Sequence, residues 1–344
     1  MHSRTTCIIN WTENSCPLTG KLEPVVEKGQ KLDKNEANRP DGRDQVGTKA
    51  RHRTGPGQFE GKRAVVSQIV SALFRAYCVA VLVALPALLL PTVASDTAQI
   101  VVVIALLAAL LTFMEYYGKY PSIVEFRFAP PFNRIKFIAL AVAIITISLI
   151  MRGKTDPNGL TEVLAMTGDA LGRVIDFPYS PVRLVILMLP PDAGPGLIGD
   201  VRTAAGISYA VSLVMMLVFV TYVRMLNWPM RKGSFNVWVN LPLFDPTRGG
   251  DVVDRLKRDA GVNIVLGALL PFIIPTAIKA TSDIIDPVSV ANPQTLIWTI
   301  TAWAFLPASM LIRGIALSRV AELIEAKRRR VYGKDDAEDT LQEA

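Results

Sequence analysis

The chain has 344 residues, 51% of them hydrophobic, and its mean hydropathy of +0.34 averages a polar N-terminal region with a very apolar remainder. A formal charge of +7 would suit nucleic acid in a soluble protein. Several apolar runs here approach the roughly 20 residues that cross a bilayer, so the excess Lys and Arg is read as marking loops on one membrane side and meeting anionic lipid instead. Nucleic acid is thus not an expected partner; the lipid bilayer is.

Cys7, Cys16 and Cys78 are too few and too scattered for a disulfide framework. The two histidines, His2 and His52, both fall in the polar N-terminal region, which excludes a His-ligated haem or metal inside the membrane.

In chain order, residues 1–62 are polar and mixed in charge. Pro40, Gly42, Gly47, Gly55, Pro56 and Gly57 break any periodicity, as in a disordered tail. No apolar stretch follows the start, so this is not a signal peptide. Residues 63–331 read as a membrane domain and 332–344 as an acidic tail. The expected fold is an all-α polytopic membrane protein with six transmembrane helices, at about 72–93, 99–114, 135–151, 203–222, 261–278 and 296–317.

Arg75 near the start of the first span has a side chain long enough to snorkel to the headgroups. Pro86 and Pro91 lie toward that span's far end, where a kink or an early stop is tolerated. The second span ends in Glu115-Tyr116-Tyr117-Gly118-Lys119-Tyr120, an aromatic and charged anchor of the membrane interface.

A loop from Ser122 to Asn133 follows, in which Val124, Phe126 and Phe128 alternate with Glu125 and Arg127. That period of two predicts a short extended segment, ended by Pro130-Pro131. After the third span, residues 152–202 form a long loop. Within it Leu160, Leu164, Gly168, Leu171 and Ile175 recur at helical spacing, predicting a helix half-immersed at the membrane surface. The apolar run 184–189 is too short to span and reads as a re-entrant or surface piece.

The fourth span places Ser208 and Ser212 on one face. A second loop, Ser234 to Asp245, again alternates: Phe235, Val237, Val239 and Leu241 against Asn236, Trp238 and Asn240. The fifth span carries Pro271 and Pro275, which remove two ladder hydrogen bonds and predict a bend. The sixth carries Pro307, with Arg313 near its inner end explained by snorkelling, and continues as a charged helix through Lys327–Arg330.

The two loops align without gaps. Ser122 matches Ser234, Phe126 matches Trp238, Pro130 matches Pro242, Phe132 matches Phe244 and Asn133 matches Asp245. Each joins one span to the next, so the pattern predicts a parallel duplication of a helix-loop-helix hairpin, with the extended loops able to pair.

Basic residues concentrate beside both loops and at the two chain ends. The intervening turns are poorer: the long loop has only Arg152, Lys154, Arg173, Arg183 and Arg202. The positive-inside rule then puts the two loops and both termini in the cytoplasm, across a bacterial-type inner membrane.

The middles of the six spans lack Asp, Glu, Lys, Arg and His, which counts against an ion-coupled transporter or proton pump. No metal-ligand spacing, nucleophile motif or phosphate loop is present, and no cofactor or enzymatic activity is expected. The function expected is a non-catalytic scaffold, accessory or assembly subunit that binds a membrane or cytoplasmic protein partner, with a homo-oligomer also compatible. Its expected contacts are Phe126, Arg127, Phe128, Phe132, Trp238, Phe244, Arg328 and Arg329, because aromatic and Arg side chains dominate interfaces. The alternative is a transporter or channel for a small neutral solute, with Ser208, Ser212, Asn263, Pro271 and Pro275 along its path.

Overall fold

The computed structural model describes residues 57–91, 95–118, 122–226, 228–229, 237–245, 249–281 and 290–342. Among them are nine helices and no strand: α1 (Gly57–Leu89), α2 (Ser95–Tyr117), α3 (Phe132–Gly153), α4 (Gly159–Ile175), α5 (Pro181–Leu187), α6 (Pro195–Met225), α7 (Val237–Asn240), α8 (Val252–Thr281) and α9 (Pro293–Gln342). Six of these (α1, α2, α3, α6, α8 and α9) are long and apolar enough to cross a membrane, the makeup of a polytopic membrane protein. The expected N-terminal tail lies outside the described residues up to residue 56. Residues 57–62, expected in that tail, instead begin α1.

The absence of strands among the described residues overturns the extended-loop expectation. Residues 125–128 form consecutive turns, and Val237–Asn240 is one helical turn. In the first loop the alternation came from two unlike demands: Phe126 turns inward at 1% exposure, while Phe128 stands 59% exposed.

Helix α9 is the hub, packing against α1, α3, α6 and α8. Helix α2 packs on α1 alone, through Val101 and Ala105 on its buried side. Neither predicted hairpin closes on itself: α2 and α3 do not pack together, nor do α6 and α8. The loops therefore bridge helices that are held apart by other helices.

Where α8 meets α9, glycine sets the distance. A Cβ on Gly267 would lie 2.7 Å from the Pro307 carbonyl oxygen, and one on Gly314 would lie 2.8 Å from that of Ala260. Small residues at such crossings let helix backbones approach closely. Pro275 has no N–H to give the Pro271 carbonyl four residues back. The Trp303 indole Nε1 of α9 donates to that carbonyl instead, at 3.1 Å.

The predicted long loop is mostly helix. Asn158 caps α4, accepting from Thr161 N at 3.0 Å while Thr161 Oγ1 accepts from Asn158 N at 2.9 Å, a reciprocal capping box. The face of α4 expected to lie in the membrane surface, around Leu164, Gly168, Leu171 and Ile175, instead packs into the protein. Glycine is again the reason: a Cβ on Gly206 of α6 would sit 2.5 Å from the Gly172 Cα. Leu160, in the first turn of α4, is exposed, as are Val163, Met166 and Val174. Asp176, at the end of α4, lies between Arg183 (2.8 Å) and Arg202 (3.0 Å), tying α4 to α5 and α6. The fourth span begins at Pro195 rather than near residue 203, proline at the first helical position being pre-set for a helix start.

Two apolar cores result. One, on the loop side, joins the first loop, Trp228, Leu241 and Phe244 to α6, α8 and the middle of α9. The other, on the opposite side, joins α3, α5, the first part of α6 and the start of α9.

Candidate functional site

The first loop is fastened to α2 at two points. Glu115 offers its carboxylate to the backbone N–H groups of Ser122 (3.1 Å), Ile123 (3.1 Å) and Val124 (3.2 Å). Arg127 reaches back to the end of α2. Its Nη1 donates to the carbonyls of Glu115 (2.5 Å) and Gly118 (2.7 Å), and its Nη2 to that of Tyr116 (2.5 Å). The last carbonyls of a helix have no partner within it and carry partial negative charge, so a guanidinium there satisfies both needs.

Between those anchors the loop folds inward. Phe126 has φ +52°, a left-handed conformation that costs a non-glycine residue about 1–2 kcal/mol and persists only where surroundings enforce it. The second loop does the enforcing. The Asn240 carbonyl accepts from Phe126 N at 2.6 Å and its side-chain Oδ1 from Phe128 N at 3.0 Å. The Phe126 ring then packs 4.6 Å from Phe132 and 5.3 Å from Trp228, and Phe219 meets Trp228 at 5.3 Å. Trp228 Nε1 donates to the Ala129 carbonyl at 3.1 Å, so the ring cluster leaves no indole N–H unpaired.

Glu125 ties this assembly to the hub. Its carboxylate accepts from Arg313 Nε (2.6 Å) and Nη2 (2.8 Å) of α9, a bidentate pair in which Glu125 is 9% exposed. Arg313 therefore does not snorkel to the headgroups as expected; a carboxylate from the loop meets it. Asn133 Nδ2 donates to the Glu125 carbonyl at 2.8 Å and holds that residue in place.

Beside the second loop a cavity of about 690 Å³ opens at the start of α8. Its lining includes Leu243, Asp245, Asp254, Arg255, Arg258 and Asp259. Arg255 donates to the Asp245 carbonyl at 2.7 Å and lies 4.8 Å from the Phe244 ring centre. Asp251 caps α8 by accepting from Val253 N at 2.9 Å, and Arg328 of α9 contacts both its oxygens at 2.9 Å. The Val253 N–H, with the Arg328 guanidinium beside it, holds the Asp251 carboxyl below its ordinary range. Among the described residues no group of three or more His, Cys, Asp or Glu is placed to hold a metal ion.

The expected contact residues separate. Phe126, Phe132 and Phe244 are buried in the protein's own core, so their rings are not presented to a partner. Arg127 caps α2, although its guanidinium also lies 4.9 Å from the exposed Phe128 ring. Arg328 pairs with Asp251, and Arg329 with Glu325 at 2.6 Å. Trp238 falls on α7, but its side chain lies outside the described residues.

The expected solute path does not assemble either. Ser208 and Ser212 are buried on α6, and Asn263 on α8 donates to its own helix at Asp259 O, 2.7 Å away. Pro271 and Pro275 are buried on α8, with Trp303 of α9 bonded to the Pro271 carbonyl. The backbones of α6 and α8 do not pack against each other. Ser208 Oγ, with Ser148 Oγ of α3 and Thr301 Oγ1 of α9, has no hydrogen-bond partner among the described residues.

The residues that hold the platform together, namely Glu115, Glu125, Trp228, Asn240 and Arg313, were not among the expected contacts. A signal existed for one pair. An arginine inside a span and a lone carboxylate within an aromatic loop each need an opposite charge when buried.

No known protein family, curated protein or solved structure matches the chain.

Proposed function

We propose that the chain is a non-catalytic integral membrane protein, a scaffold, accessory or assembly subunit that docks a protein partner on its two interlocked loops. In this reading the loop side and both termini face the cytoplasm of a bacterial-type inner membrane, as the basic residues beside the loops favour. The observation that carries it is a platform braced from three directions that still presents large apolar side chains. Ile123 is 65%, Phe128 59% and Leu243 69% exposed on loops whose other rings are buried. Bracing of this kind lowers the ordering cost of association. The cavity next to Leu243 has four aspartates and two arginines in its lining, an acidic balance suited to a partner segment bearing an apolar side chain flanked by Lys or Arg.

The test is native extraction of the full chain in mild detergent, followed by mass spectrometry of whatever co-migrates. Wild-type protein is expected to carry a stoichiometric partner, and the Phe128→Ala, Leu243→Ala double variant to lose it while remaining folded in the membrane. An unchanged partner in the double variant rules this docking face out. A wild-type protein that migrates alone rules out the subunit reading.

A further inference from the structure

Positive charge gathers without carboxylate partners where α1, α2, α3 and the first loop converge. Arg75 of α1 lies 4.6 Å from the centre of the Tyr116 ring, and Arg127 approaches the same ring at 5.6 Å. Arg134, on the first turn of α3, adds to the electrostatic field at that phenol. Among the described residues, none of the three arginines stands within ion-pair distance of an acidic group. Glu125, two residues from Arg127, is taken up by Arg313, and both oxygens of Glu115 are turned to the loop amides. Arg75 spends only Nη1, on the Ser71 carbonyl and hydroxyl, and Arg127 only Nη1 and Nη2. Donors therefore remain on both.

The place in the membrane narrows the ligand. Tyr117 stacks on Phe113 at 5.4 Å beside Tyr116, the aromatic pattern of a helix end at headgroup level. Helices α2 and α3 both pack on α1 but not on each other. One turn along α3 from Arg134, on the same face, Ile138 is 60% exposed. Charge at the headgroup level above apolar surface matches an amphiphile with an anionic head.

We propose that this corner binds the phosphate of an anionic phospholipid, with Arg75, Arg127 and Arg134 around the headgroup and an acyl chain against the exposed apolar surface of α3 at Ile138. Arginine suits the role because its planar fork meets phosphate oxygens in pairs and it stays charged. The site adjoins the docking face, because the Arg127 guanidinium lies 4.9 Å from the Phe128 ring, but its test reads bound lipid rather than a protein partner.

The experiment is native mass spectrometry of the full chain in neutral detergent, titrated with phosphatidylglycerol, phosphatidylcholine or inorganic phosphate. Phosphatidylglycerol adducts are expected at lower lipid concentration than phosphatidylcholine adducts. Arg134→Gln, an exposed position with no hydrogen bond to lose, is expected to weaken them about fivefold, the effect of one basic residue near an anionic headgroup. Arg75→Lys keeps the charge but loses the fork, and is expected to weaken them less. Arg330→Gln, far along α9, is expected to leave them unchanged. Equal retention of the two lipids, no effect of Arg134→Gln, or an equal loss in Arg330→Gln overturns the site. Displacement of bound phosphatidylglycerol by inorganic phosphate overturns the lipid assignment in favour of a soluble phosphate group.

Discussion

On the loop side, packing turns on a few directed contacts: Asn240 to the Phe126 and Phe128 amides, Trp228 to the Ala129 carbonyl, and Glu125 to Arg313. On the opposite side the contacts are mostly of shape, with Ile144, Ile147, Val182, Val185, Ala204, Ala205, Ile297 and Ile300 interdigitated and α4 set down on α6 through glycine. The difference follows from what each half contains. A loop brought against helix ends carries backbone amides and carbonyls that need partners once buried, whereas a helix satisfies its own. The loop side should therefore be sensitive to the loss of single polar groups, and the opposite side to gains of volume.

The largest expected effect comes from breaking the ion pair. Arg313→Ala leaves the Glu125 carboxylate buried and unpaired, at a cost of about 3–5 kcal/mol. Removing both charges, as Glu125→Gln with Arg313→Met, is expected to recover part of that loss, because the buried carboxylate is gone while Lys136, on which Glu125 acts, keeps its charge. Thermal unfolding in detergent distinguishes the two. If the single and double variants prove equally unstable, the pair is not what holds the loop to α9.

A middle-sized effect is expected from filling the glycine contact. Gly206→Leu drives a side chain into the Gly172 backbone, and overpacking of this kind costs about 1–3 kcal/mol. The damage should stay on its own side, with α4 lifted from α6. Limited proteolysis is then expected to cut near residues 154–158 and 176–180 while the loop-side segments stay protected. Cleavage that begins in the first loop would mean that the two halves are not separable.

The smallest effect concerns the exposed link between α8 and α9. Because the Asp251 carboxyl is held below its ordinary value of 3.8, its contribution is fully present above that pH. It is lost as pH falls further, through the folded-state value, and the Arg328 contact goes with it. Asp251→Asn is expected to flatten this acid-side change, read as protease access to the part of α9 around Arg328. An acid response unchanged in Asp251→Asn would assign it to another carboxylate.

Much of the architecture was legible in the order of the residues. The span expected at 135–151 is α3 (Phe132–Gly153), and the charged continuation past Arg313 is α9 (Pro293–Gln342). The paired loops were legible only in part. Phe132 and Phe244 are both buried, as their alignment suggests, yet Phe132 opens α3 whereas Phe244 precedes α8 by several residues. The two loops do meet, but through Asn240 and its turn rather than as paired strands, since left-handed Phe126 cannot continue an extended segment. Short alternation in a loop carries little information when the two faces of a strand are not both present to be filled.

The number and helical nature of the spans were legible in the sequence alone. A segment crossing lipid must satisfy its own backbone within a fixed thickness, so hydropathy and length within one stretch suffice. Only the tertiary structure decided which loop aromatics face inward, that α9 is the hub, and that Glu125 meets Arg313 across 188 positions of chain. Those outcomes depend on which distant surfaces fit together, and no local pattern of residues contains that.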